Sequence, residues 1–309
     1  MIIKLNILNI KQYGGTDPFT VVCCSHQGRL MCLIRTLTDV VLDKKFKNCC
    51  ILKLKIRKEY SILDLVYSGE VFGDNPVTRE DPNEDLYYSA STSFSIPAGK
   101  INYNTKDIDI YFIRHADGKH LELKRAGTIK KLFQAASEIF TSDEKILRDA
   151  ALTCDGEAQS LRAGKALNEL IKNVDFLFCS DLQRTRQTLK YMLKEVDIAK
   201  IKTNNIMVLP CSHEIANKKK GECDIGQGFW EKKAPENKPL YENMIDVPKP
   251  MNMTISGEIF TIDWAKYFSF YVDKMRQNSV AHNKCTNKTM LEVILEIVAP
   301  VLNHPWRAL

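Results

Sequence analysis

The chain has 309 residues, 44% of them hydrophobic and 27% charged, and carries a formal charge of +6 at pH 7. That is ordinary globular chemistry, with enough length for one large domain or two small ones around a sizeable core. It excludes two partners: the lysine runs (Lys130-Lys131 and Lys218-Lys219-Lys220) are too short for a nucleic-acid footprint, and the most apolar stretch, LEVILEIVAPVL, carries two glutamates and is too short to span a bilayer.

The start, MIIKLNILNIKQYGG, has an early lysine and no cleavage-like site, so an intracellular, reducing (cytoplasmic) location is expected. Phe19–Cys24 (FTVVCC) reads as a buried strand, and Gly28–Thr36 as a helix continuing toward Leu42. Cys49–Ile56 (CCILKLKI) reads as another strand. None of the ten cysteines forms a C-x-x-C pair. The adjacent pairs Cys23-Cys24 and Cys49-Cys50 sit in apolar runs, where they suit small buried hydrophobes better than disulfides. From Tyr67 to Thr105 the pattern fails, and Gly, Pro, Asn, Asp and Ser mark a loop or insert with room for one short strand.

Asp107–Arg114 (DIDIYFIR) is a strong strand. Helical stretches follow in KKLFQAASEIF and GEAQSLRAGKALNELI. Asp175–Cys179 (DFLFC) is a short buried strand, RTRQTLKYMLKEV a helix and Ile206–Leu209 a further strand. Lys218–Lys249 is polar and rich in Gly and Pro, a long loop over one end. WAKYFSFYVDKMRQ and KTMLEVILEIV close the chain as helices. Strands spaced by helices predict an α/β fold with a mostly parallel sheet and helices on both faces.

Four strand candidates end in polar residues suited to phosphate: Ser25-His26-Gln27-Gly28, Arg114-His115-Ala116, Ser180-Asp181 with Arg184 one turn on, and Ser212-His213-Glu214. Ligands of open parallel sheets sit at the carboxyl ends of strands, where helix N-termini favour anions. A neutral imidazole, with an unperturbed pKa of about 6.5, is a competent nucleophile. Two guanidiniums can clamp phosphoryl oxygens, and a carboxylic acid can protonate the leaving oxygen. His120, His282 and His304 read as turn or surface residues, and His213 as a loop neighbour of Glu214. Cys211 and Cys223 lack a metal-binding pattern, so neither a metal nor another cofactor is expected.

Three stretches together resemble the histidine phosphatase superfamily, which includes the cofactor-dependent phosphoglycerate mutases. They are Ile113-Arg114-His115-Ala116, then Leu152-Thr153 with Gly156 and Gln159, then Ser180-Asp181-Leu182-Gln183-Arg184-Thr185-Arg186-Gln187-Thr188. The resemblance covers Asp107 to about Gly226. It implies a phosphoglycerate mutase-like fold and these roles: His115 as the nucleophile that becomes phosphohistidine, Arg114 and Arg184 as phosphate ligands with Ser180 beside them, and Glu214 as proton donor, with Glu222 and Asp117 as fallbacks. Arg186 lies two residues past the motif arginine and faces away. The asparagine that many members carry shortly after R-H-G is absent from Asp117-Gly118-Lys119-His120-Leu121.

The family also places a second histidine in S-H-x-G near its C-terminus. Here only Val280-Ala281-His282-Asn283 stands there, whereas FTVVCCSHQG stands near the front. The expectation is a circular permutation of a single domain. Residues 1–66 would be the displaced unit, 67–105 the linker or insert, and 106–309 the core. His26 would be the second phosphate-pocket histidine, acting in cis or, in a swapped homodimer, in trans. The expected activity is phosphomonoester hydrolysis of a small-molecule or protein substrate. A phosphoglycerate mutase-like isomerase and a non-catalytic phospho-ligand module are the rival readings. Oligomeric state and substrate identity stay open.

Overall fold

The computed structural model describes residues 17–70, 86–101, 107–119, 149–209, 212, 214, 251–263 and 287–302. Its centre is built from the apolar runs. β1 (Phe19–Ser25) is buried at every residue. β5 (Ile108–Arg114) is buried from Ile108 to Ile113, and β6 (Phe176–Cys179) and β7 (Asn205–Val208) are short and almost wholly buried. Strands covered on both faces read as continuous hydrophobic runs, which is why these four are visible in the sequence.

A single sheet of nine strands joins them, in the order β4-β3-β2-β5-β1-β6-β7-β9-β8. The added strands are β2 (Ile51–Ile56), β3 (Ser61–Tyr67), β4 (Ser93–Ser95), β8 (Met251–Ile255) and β9 (Glu258–Asp263). The expectation of a mostly parallel sheet needs correction. Four pairings are parallel and four antiparallel. The parallel part is the central run β5-β1-β6-β7-β9. On one side β2 lies antiparallel against β5 and folds back on β3 through a tight turn closed by Arg57 N–H on the Tyr60 carbonyl (2.9 Å). On the other side β8 and β9 form a hairpin whose turn residues, Ser256 and Gly257, have φ of 49° and 86°. Two successive positive φ values are the signature of a type I′ turn, whose twist matches the strands.

Four α-helices and one 3-10 turn (Ile198–Lys200) complete the described elements, the helices being α1 (Gln27–Thr38), α2 (Cys154–Leu170), α3 (Gln183–Leu193) and α4 (Asn287–Leu302). Alternate residues of β1 enter different hydrophobic clusters. Val21 and Cys23 pack with Leu30, Leu33 and Ile34 of α1 and Ile294 and Val298 of α4. Val22 and Cys24 pack with Leu167 of α2 and Leu189 and Met192 of α3. Cys23, Cys24, Cys49 and Cys50 are buried and not disulfide-bonded, and burial pushes Cys50 up to about 12, so it packs as a neutral small side chain.

The helices expected over KKLFQAASEIF and WAKYFSFYVDKMRQ, the Lys218–Lys249 loop, and His120, His213, Glu222, His282 and His304 lie outside the described residues. Among the described residues no helix is long and apolar enough to cross a membrane.

Candidate active site

Strand register brings the polar ends together. In the β1–β5 ladder Ser25 stands opposite Arg114, and in the β1–β6 ladder Cys24 stands opposite Cys179. The residues one step further are therefore neighbours. His115 N–H donates to the Ser25 carbonyl (2.9 Å), and Ser180 N–H to the Cys24 carbonyl (3.0 Å). His26 stands at the N-cap of α1 without a side-chain cap bond, and its ring turns instead to Ser180 and Arg184. Ser25 Oγ donates to the Ser212 carbonyl (2.9 Å), which ties the segment after β7 to the same strand end and brings Glu214 in.

Five of the six residues expected at the site come within reach of one another. The rings of His26 and His115 lie 5.0 Å apart between centroids, tilted by 60°. Glu214 Oε2 is 3.8 Å from His26 Nδ1. Ser180 Oγ is 2.7 Å from His26 Nε2, and Arg184 Nη2 is 3.3 Å from His26 Nδ1. The sixth, Arg114, ends β5 beside His115. Its Nη1 donates to the Phe46 carbonyl, and burial lowers its pKa from the ordinary arginine value, against the pull of nearby groups that include Glu214.

His115 has a defined tautomer. Its Nδ1 lies 2.7 Å from the Ala116 carbonyl. A carbonyl only accepts, so Nδ1 carries a proton, and in the neutral ring the lone pair is therefore on Nε2. The Ala116 peptide is itself held, because its N–H donates to Thr188 Oγ1 (3.0 Å) while that hydroxyl donates to the Arg184 carbonyl (2.7 Å). The N-terminal half of α3 therefore fixes both the backbone of the arginine and the loop that aims the histidine.

Arg184 is 1% exposed. A buried guanidinium costs several kcal/mol of desolvation unless charge or hydrogen bonds compensate it, and this one sits in the first turn of a helix, where a cation opposes the dipole. An oxyanion bound beside it would offset both costs. His26, His115 and Glu214 present ligand atoms within 4.8 Å of one another, a spacing that a metal ion could also use. The guanidinium 3.3 Å from one of those nitrogens argues against a cation there and for an oxyanion.

The sequence reading missed a supporting layer. Gln159 Oε1 accepts from Asp117 N–H (3.0 Å), and Thr153 Oγ1 donates to Asp117 Oδ2 (2.9 Å). Asp117 is 1% exposed and held in this structural role. Asp149 accepts from Gln183 N–H (2.5 Å) and pairs with Arg186 (3.5 Å), which anchors Arg186 outside the imidazole pair. Arg29, three residues after His26, is buried, with 4% of its surface exposed; its place in the first turn of α1 after an S-H-x-G run was the available signal.

Residues 134–207 match the family model described as the histidine phosphatase superfamily (branch 1). The matched span includes Ser180 and Arg184 and ends before Glu214; His26, Arg114 and His115 lie outside it. No curated protein and no solved structure matches the chain.

Proposed function

From the match of residues 134–207 to the histidine phosphatase superfamily, we propose that the chain is a member that hydrolyses phosphomonoesters through a phosphohistidine on His115. One observation carries the reading. Two buried imidazoles lie 5.0 Å apart between centroids, and the Nδ1 contact of His115 with the Ala116 carbonyl leaves Nε2 as the nucleophilic nitrogen of the neutral ring.

In the first step His115 Nε2 attacks phosphorus in line and the bond to the ester oxygen breaks. Glu214 supplies the proton that the leaving oxygen takes up. In the second step water attacks the phosphohistidine, the Glu214 carboxylate takes the water's proton, and phosphate leaves. Arg114, Arg184 and His26 hold the phosphoryl oxygens throughout. Fixed charge and positioning supply most of the acceleration in such a site.

The order of the chain fits this reading as a circular permutation within one domain. β1 and α1, which carry His26, correspond to the family's last strand-turn-helix unit moved to the front. The support is that β1 pairs in parallel with both β5 and β6, between the strands that lead to His115 and Ser180. The division of β1 side chains between two clusters supports helices on both faces of the sheet.

His115→Ala is expected to abolish release of phosphate from p-nitrophenyl phosphate. The unaltered chain, quenched during turnover, should carry acid-labile, base-stable phosphate on His115. Full activity in the variant would defeat the mechanism.

A further inference from the structure

Ser180 lies one residue past β6, where direct contact with phosphate is expected, yet its side chain is committed elsewhere. Ser180, Thr185 and His26 are all fully buried. Thr185 Oγ1 lies 2.7 Å from the Leu182 carbonyl and 3.0 Å from the Ser180 carbonyl. Carbonyls only accept, so the one proton of Thr185 goes to them. Toward Ser180 Oγ, 2.9 Å away, the threonine oxygen is then an acceptor, and the serine donates to it. Having used its proton, Ser180 Oγ can only accept from its two other neighbours, Leu182 N–H (3.3 Å) and His26 Nε2 (2.7 Å). The direction of this chain requires a proton on Nε2.

The opposite edge of the ring gives the same answer independently. Arg184 Nη2 stands 3.3 Å from His26 Nδ1, and a guanidinium has donors only, so Nδ1 accepts. Glu214 Oε2, at 3.8 Å from the same nitrogen, is beyond hydrogen-bond reach and does not compete.

We propose that Ser180 and Thr185 are positioning residues that lock His26 as the Nε2–H tautomer, so that the ring meets the phosphoryl group with an accepting Nδ1. The tautomer assignment stands on hydrogen-bond direction; only the identity of the anion rests on the phosphatase reading above. An arriving phosphomonoester monoanion replaces the Arg184 donor at Nδ1: Nη2 turns to a phosphoryl oxygen, and the P–OH donates to the Nδ1 lone pair that the guanidinium held. Transfer of that proton leaves a dianionic ester beside an imidazolium, with no change in the total charge of the site.

The test is nitrogen NMR of the histidine rings in the full-length labelled chain at about pH 8, above the unperturbed imidazole value of about 6.5. His26 should show a protonated Nε2 and a pyridine-type Nδ1. Thr185→Val removes the acceptor of the serine proton. Ser180 can then donate to Nε2, in competition with the Arg184 donor that still faces Nδ1, and the population of the Nε2–H form should fall. Thr185→Ser should restore the original pattern, an outcome that a purely packing role does not predict. A proton on Nδ1 of the unaltered chain, or on both nitrogens, overturns the proposal even where the valine variant does not fold. So does a valine variant whose ring is unchanged. An Nε2–H ring in a chain that forms no phosphohistidine supports the relay and defeats the hydrolase reading, so the two failures are distinguishable.

Discussion

Arg184 and Arg186 differ by two positions on one helix and by everything that matters for chemistry. Arg184 is 1% exposed and 3.3 Å from the His26 ring, whereas Arg186 is paired with Asp149 at 3.5 Å. A planar fork of donors binds phosphate through two parallel bonds, and an ammonium offers only a point charge. Arg184→Lys is therefore expected to cut kcat by on the order of 10²–10³, the usual loss for one donor in such a site. Arg186→Lys keeps its partner and should leave the rate near that of the unaltered chain. Steady-state hydrolysis of p-nitrophenyl phosphate by both variants checks this, and equal losses would place the wrong arginine at phosphorus. Residues of this kind were legible in the sequence because charge, spacing and strand ends announce them. The tie between Ser180 and His26 was not, because its direction depends on hydrogen bonds from segments 154 residues apart.

At the scale of elements, two glycines of α2 separate support of the site from support of the fold. A Cβ on Gly156 would stand 2.1 Å from the Asp117 carbonyl oxygen, and one on Gly164 would stand 2.3 Å from the Met192 carbonyl oxygen. Neither obstacle is a movable side-chain end, so each Gly→Ala change forces backbone apart, at roughly 1–3 kcal/mol for overpacking of this kind. Gly156 presses on the loop that follows His115, while Gly164 presses on the far end of α3. Gly156→Ala should lower both melting temperature and kcat, and Gly164→Ala mainly the melting temperature. Thermal melts run beside activity assays decide it, and equal activity losses would contradict the division. The same scale shows where the sequence misleads. The central strands are unbroken apolar runs and were visible, but an apolar run carries no direction, so the antiparallel course of β2 was not. β3 (SILDLVY) and the β8–β9 hairpin alternate in short stretches. Only Ser256-Gly257 between them, a turn-forming pair, was a usable signal.

For the molecule as a whole, the decisive fact is that the N-terminal unit occupies the middle of the sheet. All seven residues of β1 pair with β5, and four of them pair with β6 as well. Removing β1 leaves β5 and β6 with unpaired backbone along the sheet's central seam, and unpaired buried backbone is among the costliest defects a fold can carry. β2 and β3 would leave with it, exposing the other edge of β5 and the partner edge of β4. A fragment of residues 86–309 is therefore expected not to fold alone, although it holds Arg114, His115, Arg184 and Glu214. Co-expressed with residues 1–70, it should recover a cooperative melt and co-purify, because the strands of each fragment complete the other's ladders without any covalent connection. Hydrolase activity should return with the complex and not before, since His26 arrives on the smaller piece. A folded, active 86–309 fragment would mean that the first unit is an appendage. It would remove the reason for treating the order of this chain as a rearrangement of one domain.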